Sequence, residues 1–239
     1  MTVPLPSPQP QRSFWNAYRA LVRWDWVREM KRKDTVVSMV LFSLVTLMIL
    51  AFAVDPRSLL SEEVRSGILW VTLLLASTIG IDRAFRGDDQ AAVLEGVLLA
   101  PVGRVSFYYA KVTATYLYVG IMALIVLLVF CWLYNVSGLD ASQFAKLVGV
   151  ILSTVFGVVV LGVPLSAMTR SIHGGEVLLR ILMLPLLFPL FRGAVLATEQ
   201  VFRHEPIDSQ ALFMIAAFDV IYLFAGQLLI EHVLADFEG

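Results

Sequence analysis

The side chains with chemistry to offer are concentrated between Asp82 and Lys111. Asp88 and Asp89 stand where a helix can begin, because exposed N–H groups and the helix dipole favour carboxylates there. Val93, Leu94, Val97 and Leu98 follow at i, i+3, i+4 spacing and form one apolar edge, with Glu95 off that edge. Pro101 stops the helix and Gly103 loosens the turn. The pattern predicts a helix of about three turns, joined closely to an apolar run on either side. Its chemistry is recognition, not bond making. An apolar edge with an acidic rim can be gripped and pushed by a partner, or it can rest on lipid. The residues alone leave both readings open.

Two more charges fall inside apolar runs. Asp219 lies near the middle of the last run, and Arg192 lies toward the outer end of the run before it. A charge in hydrocarbon is costly and is usually paired or turned toward a cavity. Their depths differ by roughly 4.5 Å at 1.5 Å per residue, which permits an Arg192–Asp219 ion pair. The alternative has Arg192 snorkelling outward and Asp219 protonated or meeting water.

Catalytic and metal patterns are missing from the sequence. Cys131 is the single cysteine, so no intrachain disulfide and no cysteine-based zinc site can form. No HExxH and no Ser/His/Asp arrangement occurs. Of the three histidines, only His204 falls on the outer side, and a lone loop histidine reads as solvated. His173 and His232 fall on the opposite side of the expected spans. No Gly-x-x-x-x-Gly-Lys-Ser/Thr loop is present, so the chain does not hydrolyse ATP by that mechanism.

The elements that must position these residues are membrane helices. Apolar residues make up 59% of the chain and charged residues 15%, against roughly 45–50% and about 25% in a soluble domain. The excess lies in blocks long enough to cross a bilayer. Six spans are expected: Thr35–Val54, Ser66–Ile81, Val112–Tyr134, Leu147–Met168, Val177–Ala197 and Ala211–Ile230. The formal net charge of -1 gives no basic excess of the kind that nucleic-acid binding needs.

Lys and Arg orient the bundle. Arg12, Arg19, Arg23, Arg28, Lys31, Arg32 and Lys33 precede the first span. Arg83, Arg86, Arg104 and Lys111 lie between spans two and three, and Arg170 follows span four. The opposite loops hold only Arg57, Arg65, Lys146 and Arg203. Positive residues favour the cytoplasmic side, so both termini are expected inside an inner (cytoplasmic) membrane.

The N-terminal stretch does not resemble a cleaved signal, since the first apolar block is long enough to stay in the membrane. Residues 1–12, rich in proline, are expected to be disordered. Residues 13–239 are expected to form one transmembrane domain. Within residues 13–33, Phe14, Trp15, Tyr18, Leu21 and Val22 share a helix face, while Asn16, Arg19 and Arg23 point elsewhere. Aromatic and basic residues beside a span predict an elbow helix on the inner membrane surface. The outer loops are too short to be domains. Pro185 and Pro189 favour a kink in the fifth span. Gly149, Ser153 and Gly157 form a small-residue stripe suited to close packing, within the bundle or between copies.

The run GILWVTLLLAS, then DRAFRGDD, LEGVLLAP and YAKV, resembles the CcmB family of haem exporter proteins. TRSIHGGEVLLRILMLPLLFPLF, from Thr169 to Phe191, resembles the same family's penultimate span and the loop before it. The pattern formed by Leu94, Glu95, Leu98, Leu99 and Pro101 is shared more broadly with ABC-2-type permeases. The resemblance implies an all-α polytopic membrane protein of the ABC-2 or type V exporter class. It implies six transmembrane helices behind an amphipathic elbow helix, with a cytoplasmic coupling helix between spans two and three.

By that resemblance Leu94, Val97 and Leu98 would dock on a separate CcmA-like ATPase, which binds ATP and Mg²⁺. Asp88, Asp89 and Glu95 would form the polar rim, and Pro101 would end the helix. The implied partners are a second copy of the chain and CcmC-, CcmD- and CcmE-like proteins. Haem would be cargo of the complex and not a cofactor held here. Two alternatives stand beside this reading. One is an exporter of another cargo, such as a lipid or drug. The other is a scaffold that relays ATPase motion without transporting anything.

Overall fold

The computed structural model describes residues 14–31, 34–55, 61–84, 104–136, 138–169 and 174–236. Seven helices hold nearly all of them: α1 (Phe14–Lys31), α2 (Asp34–Ala53), α3 (Glu62–Arg83), α4 (Arg104–Leu133), α5 (Ala141–Thr169), α6 (Gly175–Phe202) and α7 (Ser209–Asp236). No strand occurs among the described residues. Helices α2 to α7 are each long and apolar enough to cross a membrane, so the chain is an all-α polytopic membrane protein. The expected tail over 1–12 and the short helix expected between the second and third spans lie outside the described residues.

Helix α5 is the axis of the bundle and packs on α3, α4, α6 and α7. Of its most apolar stretch, 72% is buried inside the protein, against 17% for α2 and 22% for α7. Composition explains the difference. Gly157 and Gly162 let neighbours come close, and Val155, Val158, Val159, Val160 and Val163 fill the remaining space with stiff, branched side chains. Helix α2 instead turns Leu41, Val45 and Phe52 outward. In water such a row would be a liability, whereas in a bilayer it meets a solvent as apolar as itself.

Large side chains fill the interior: Trp70, Phe107, Tyr108 and Phe130 are almost wholly enclosed. Trp70 of α3 packs edge-on against Phe191 of α6, and its indole N–H donates to Thr198 Oγ1 at 3.0 Å. A buried indole N–H needs such a partner.

Helix α4 begins at Arg104, about two turns before the apolar run at Val112. The extra turns mix polar and apolar residues, and the structure buries both kinds: Ser106, Phe107, Tyr108, Ala110 and Lys111 are all enclosed. Packing, not hydropathy, makes them helical. Pro185 and Pro189 lie inside α6, which stays helical through both.

Candidate coupling site

Asp88, Asp89, Leu94, Glu95, Val97, Leu98 and Pro101 lie outside the described residues. The two helices from which segment 85–103 springs are described, and they define where it attaches. Helix α3 ends at Arg83 and α4 begins at Arg104, so the segment returns to the same end of the bundle, the end that also carries α1.

That end is knit together by polar contacts. Lys111 Nζ of α4 donates to Asp25 Oδ1 of α1 at 2.8 Å, with side-chain exposures of only 4% and 11%. Two turns of α1 away, Tyr18 Oη and Thr113 Oγ1 are 2.9 Å apart. Arg83, on the last turn of α3, donates to Thr35 Oγ1 of α2 at 3.2 Å. Ser166 Oγ of α5 donates to the Asp82 carbonyl at 3.4 Å. Both roots of the segment are thus tied to neighbouring helices.

Three tyrosines of α4 extend this network to other helices. The last turn of α3 tightens, with the Ala84 N–H on the Ile81 carbonyl at 3.0 Å. That leaves the Gly80 carbonyl without its usual partner at Ala84, and Tyr118 Oη donates to it at 2.9 Å. Pro164 of α5 has no N–H for the Val160 carbonyl one turn back, and Tyr108 Oη donates there at 3.2 Å. Tyr109 Oη donates to Gln227 Oε1 of α7 at 3.1 Å. Helix α4 therefore holds polar contacts with α1, α3, α5 and α7. Sequence reasoning missed this role. The available signal was a cluster of hydroxyl aromatics, Tyr108, Tyr109 and Tyr118, at one end of an apolar run.

The sequence left two readings of the intramembrane charges, paired or apart. Asp219 is buried and accepts from Ser153 Oγ at 3.0 Å, while its Oδ1 has no hydrogen-bond partner among the described residues. Arg192 is exposed, off the α6 face that buries Leu190, Ala194 and Ala197. Among the described residues the two form no ion pair. The small-residue stripe is divided as well. Gly157 lies directly beneath Asp219 and Leu190, and Ser153 bonds Asp219, whereas Gly149 faces open space. Two of its three members thus serve packing within the bundle.

At the far end His204 is exposed, with its ring against the Gln143 amide. Among the described residues no group of three or more His, Cys, Asp or Glu side chains could hold a metal ion.

Six membrane-length helices, tied to one another by polar contacts at the end where α3 stops and α4 starts, define a polytopic membrane protein. Residues 16–234 match the CcmB protein family, and the chain belongs to it. Heme exporter protein B of Escherichia coli strain K12 is 29% identical over 195 residues, covering 82% of this chain and 86% of the relative. The protein of the same name from Pseudomonas aeruginosa is 28% identical over 176 residues, covering 71% and 76%. That from Rhodobacter capsulatus is 30% identical over 156 residues, covering 65% and 70%.

Proposed function

We propose that this chain is the permease subunit of an ABC-type complex acting in haem export and cytochrome c maturation. It works as a homodimer with two copies of a separate CcmA-like ATPase, beside CcmC-, CcmD- and CcmE-like proteins. The ATPase binds ATP and Mg²⁺, haem is the cargo of the complex, and this chain catalyses nothing alone. The observation that carries the reading is the match of the CcmB family over residues 16–234. The run of Lys and Arg before the first span and between spans two and three supports a multi-pass inner-membrane topology with both termini cytoplasmic.

In this reading Asp88–Leu99 is the coupling helix. Leu94, Val97 and Leu98 sit in a groove of the ATPase, Asp88, Asp89 and Glu95 form its polar rim, and Pro101 terminates it. A stroke on this helix enters α3 and α4 together. Arg83 passes it to α2 through Thr35, and Lys111 passes it to α1 through Asp25. The Ser166–Asp82 and Tyr108–Val160 contacts pass it to α5. Packed cores move between discrete arrangements and do not deform continuously, so a push at one end shifts whole helices.

A second reading, a relay of ATPase motion without passage of cargo through this subunit, is favoured by one observation. The bundle interior on α3 and α4 is filled by Trp70, Phe107, Tyr108 and Phe130.

The test is purification of the chain with its membrane partners, with Leu94→Asp and Leu98→Asp as probes. A charge placed on the apolar edge is expected to cut ATPase co-purification by about tenfold or more, the size of one lost buried side chain at an interface. Membrane insertion should be unchanged. Full ATPase association in both variants would overturn the coupling assignment. Recovery of an ATPase without haem-handling proteins would favour an exporter of other cargo.

A further inference from the structure

A groove of about 710 Å³ runs between α1 and α4, lined by Tyr18, Arg19, Ala20, Val22, Arg23, Trp26 and Leu117. Its composition is two-sided. Arg19 and Arg23 are exposed and one helical turn apart, so their guanidinium groups lie within reach of a single anion. Val22, Trp26 and Leu117 supply an apolar wall. The nearby Asp25 does not neutralise the arginines, because it is committed to Lys111. Among the described residues neither arginine makes an ion pair.

The position of the groove selects its occupant. Leu117 lies within the membrane-length part of α4 and is 39% exposed. A free anion has no use for an apolar wall at that depth, and a soluble protein does not reach it. A lipid does, with its phosphate at the interface and its chain beside the span. We infer that the α1–α4 groove binds an anionic phospholipid, its phosphodiester held by Arg19 and Arg23 and the start of an acyl chain lying on Trp26 and Leu117. Arginine forks suit phosphate oxygens, and aromatic side chains suit the boundary between headgroup and chain. The volume falls in the range of specific small-ligand sites. Through the Lys111–Asp25 and Tyr18–Thr113 contacts, the bound lipid would brace α1 against the helix that leaves segment 85–103.

The test is native mass spectrometry of the purified full chain titrated with phosphatidylglycerol, phosphatidylcholine or inorganic phosphate. Phosphatidylglycerol, net anionic, should bind about tenfold tighter than phosphatidylcholine, whose phosphodiester is the same but whose choline cation meets the two arginines as a like charge. Arg19→Gln with Arg23→Gln should abolish that preference, and Arg19→Lys with Arg23→Lys should retain part of it. Leu117→Trp fills the apolar wall without changing charge and should weaken both lipids. It keeps the proposal testable if the arginine variants fold poorly. Three kinds of result overturn the proposal. One is an unchanged preference in the Gln variant or undiminished binding in the Trp variant. Another is displacement of phosphatidylglycerol by inorganic phosphate at equal concentration, which would mark a free-anion site. The third is a disulfide between two copies through Leu117→Cys in a Cys131→Ser background, which would put a second copy in the groove.

Discussion

Tyr108 on α4 does the work of a backbone N–H that Pro164 on α5 lacks. Its hydroxyl donates at 3.2 Å to the Val160 carbonyl, the acceptor that an ordinary residue at position 164 would satisfy. A buried acceptor left bare costs about 1–3 kcal/mol. Tyr108→Phe is therefore expected to destabilise the bundle by that amount. Pro164→Ala restores an N–H to the helix, so the double variant Tyr108→Phe with Pro164→Ala should recover most of the loss. Thermal unfolding of the purified protein in detergent checks both steps. Equal loss in the single and double variants would mean that the hydroxyl matters for another reason.

The Lys111–Asp25 pair makes a second prediction, about the join between α1 and α4. Both side chains are nearly enclosed, so removing Lys111 leaves the Asp25 carboxylate uncompensated, at a cost of about 3–5 kcal/mol, and removing Asp25 takes away the Lys111 contact to α1. Asp25→Ala and Lys111→Ala should each loosen α1, seen as faster proteolysis within residues 14–31. The joint replacement Asp25→Leu with Lys111→Met removes both charges and should cost less than either single change. An additive double variant would show that the two charges act separately.

Gly157 and Gly149 give a paired test of the packing on α5. A Cβ at Gly157 would fall on the Asp219 carboxylate and within 2.9 Å of Leu190 Cδ2, whereas a Cβ at Gly149 meets nothing. Gly157→Ala is expected to cost about 1–3 kcal/mol through overpacking. Gly149→Ala should be neutral, or stabilising by up to about 1 kcal/mol from helix propensity. Unfolding midpoints measured side by side decide it. A costly Gly149→Ala would place that glycine at a contact with another chain.

What could be read from the sequence follows from what periodicity and hydropathy encode. The apolar runs marked the six spans because a bilayer demands about 20 apolar helical residues, whatever the packing. The first turns of α4 were unreadable by the same rule. Ser106 to Lys111 mixes polar and apolar residues, and its helix is buried by other helices. Arg19 and Arg23 were assigned away from Tyr18 and Val22, yet they line the same groove. Helical spacing fixes directions from the axis, but long guanidinium side chains reach across them. The orphan carbonyl at Val160 could be counted from Pro164 alone. Which group would reach it could not, since Tyr108 is distant in sequence. For Asp219, sequence gave depth but not rotation about the helix axis, and rotation decided its partner.

The partner of Asp219 is therefore the last prediction. Depth alone suggested Arg192, while the structure supplies Ser153 at 3.0 Å and leaves Arg192 exposed. The two proposals differ in a double-mutant cycle. Residues in direct contact couple by about 0.5–3 kcal/mol, and separated ones add within about 0.3–0.5 kcal/mol. Ser153→Ala and Asp219→Asn should thus be strongly non-additive, because once the carboxylate is gone the hydroxyl has less to satisfy. Arg192→Gln and Asp219→Asn should simply add. Reversing both charges, Arg192→Asp with Asp219→Arg, should rescue nothing. An aspartate at 192 would sit on an exposed face, and an arginine at 219 would be forced against Gly157 and Leu190. Rescue by the double reversal, with additivity at Ser153, would instead establish the Arg192–Asp219 pair in the assembled complex.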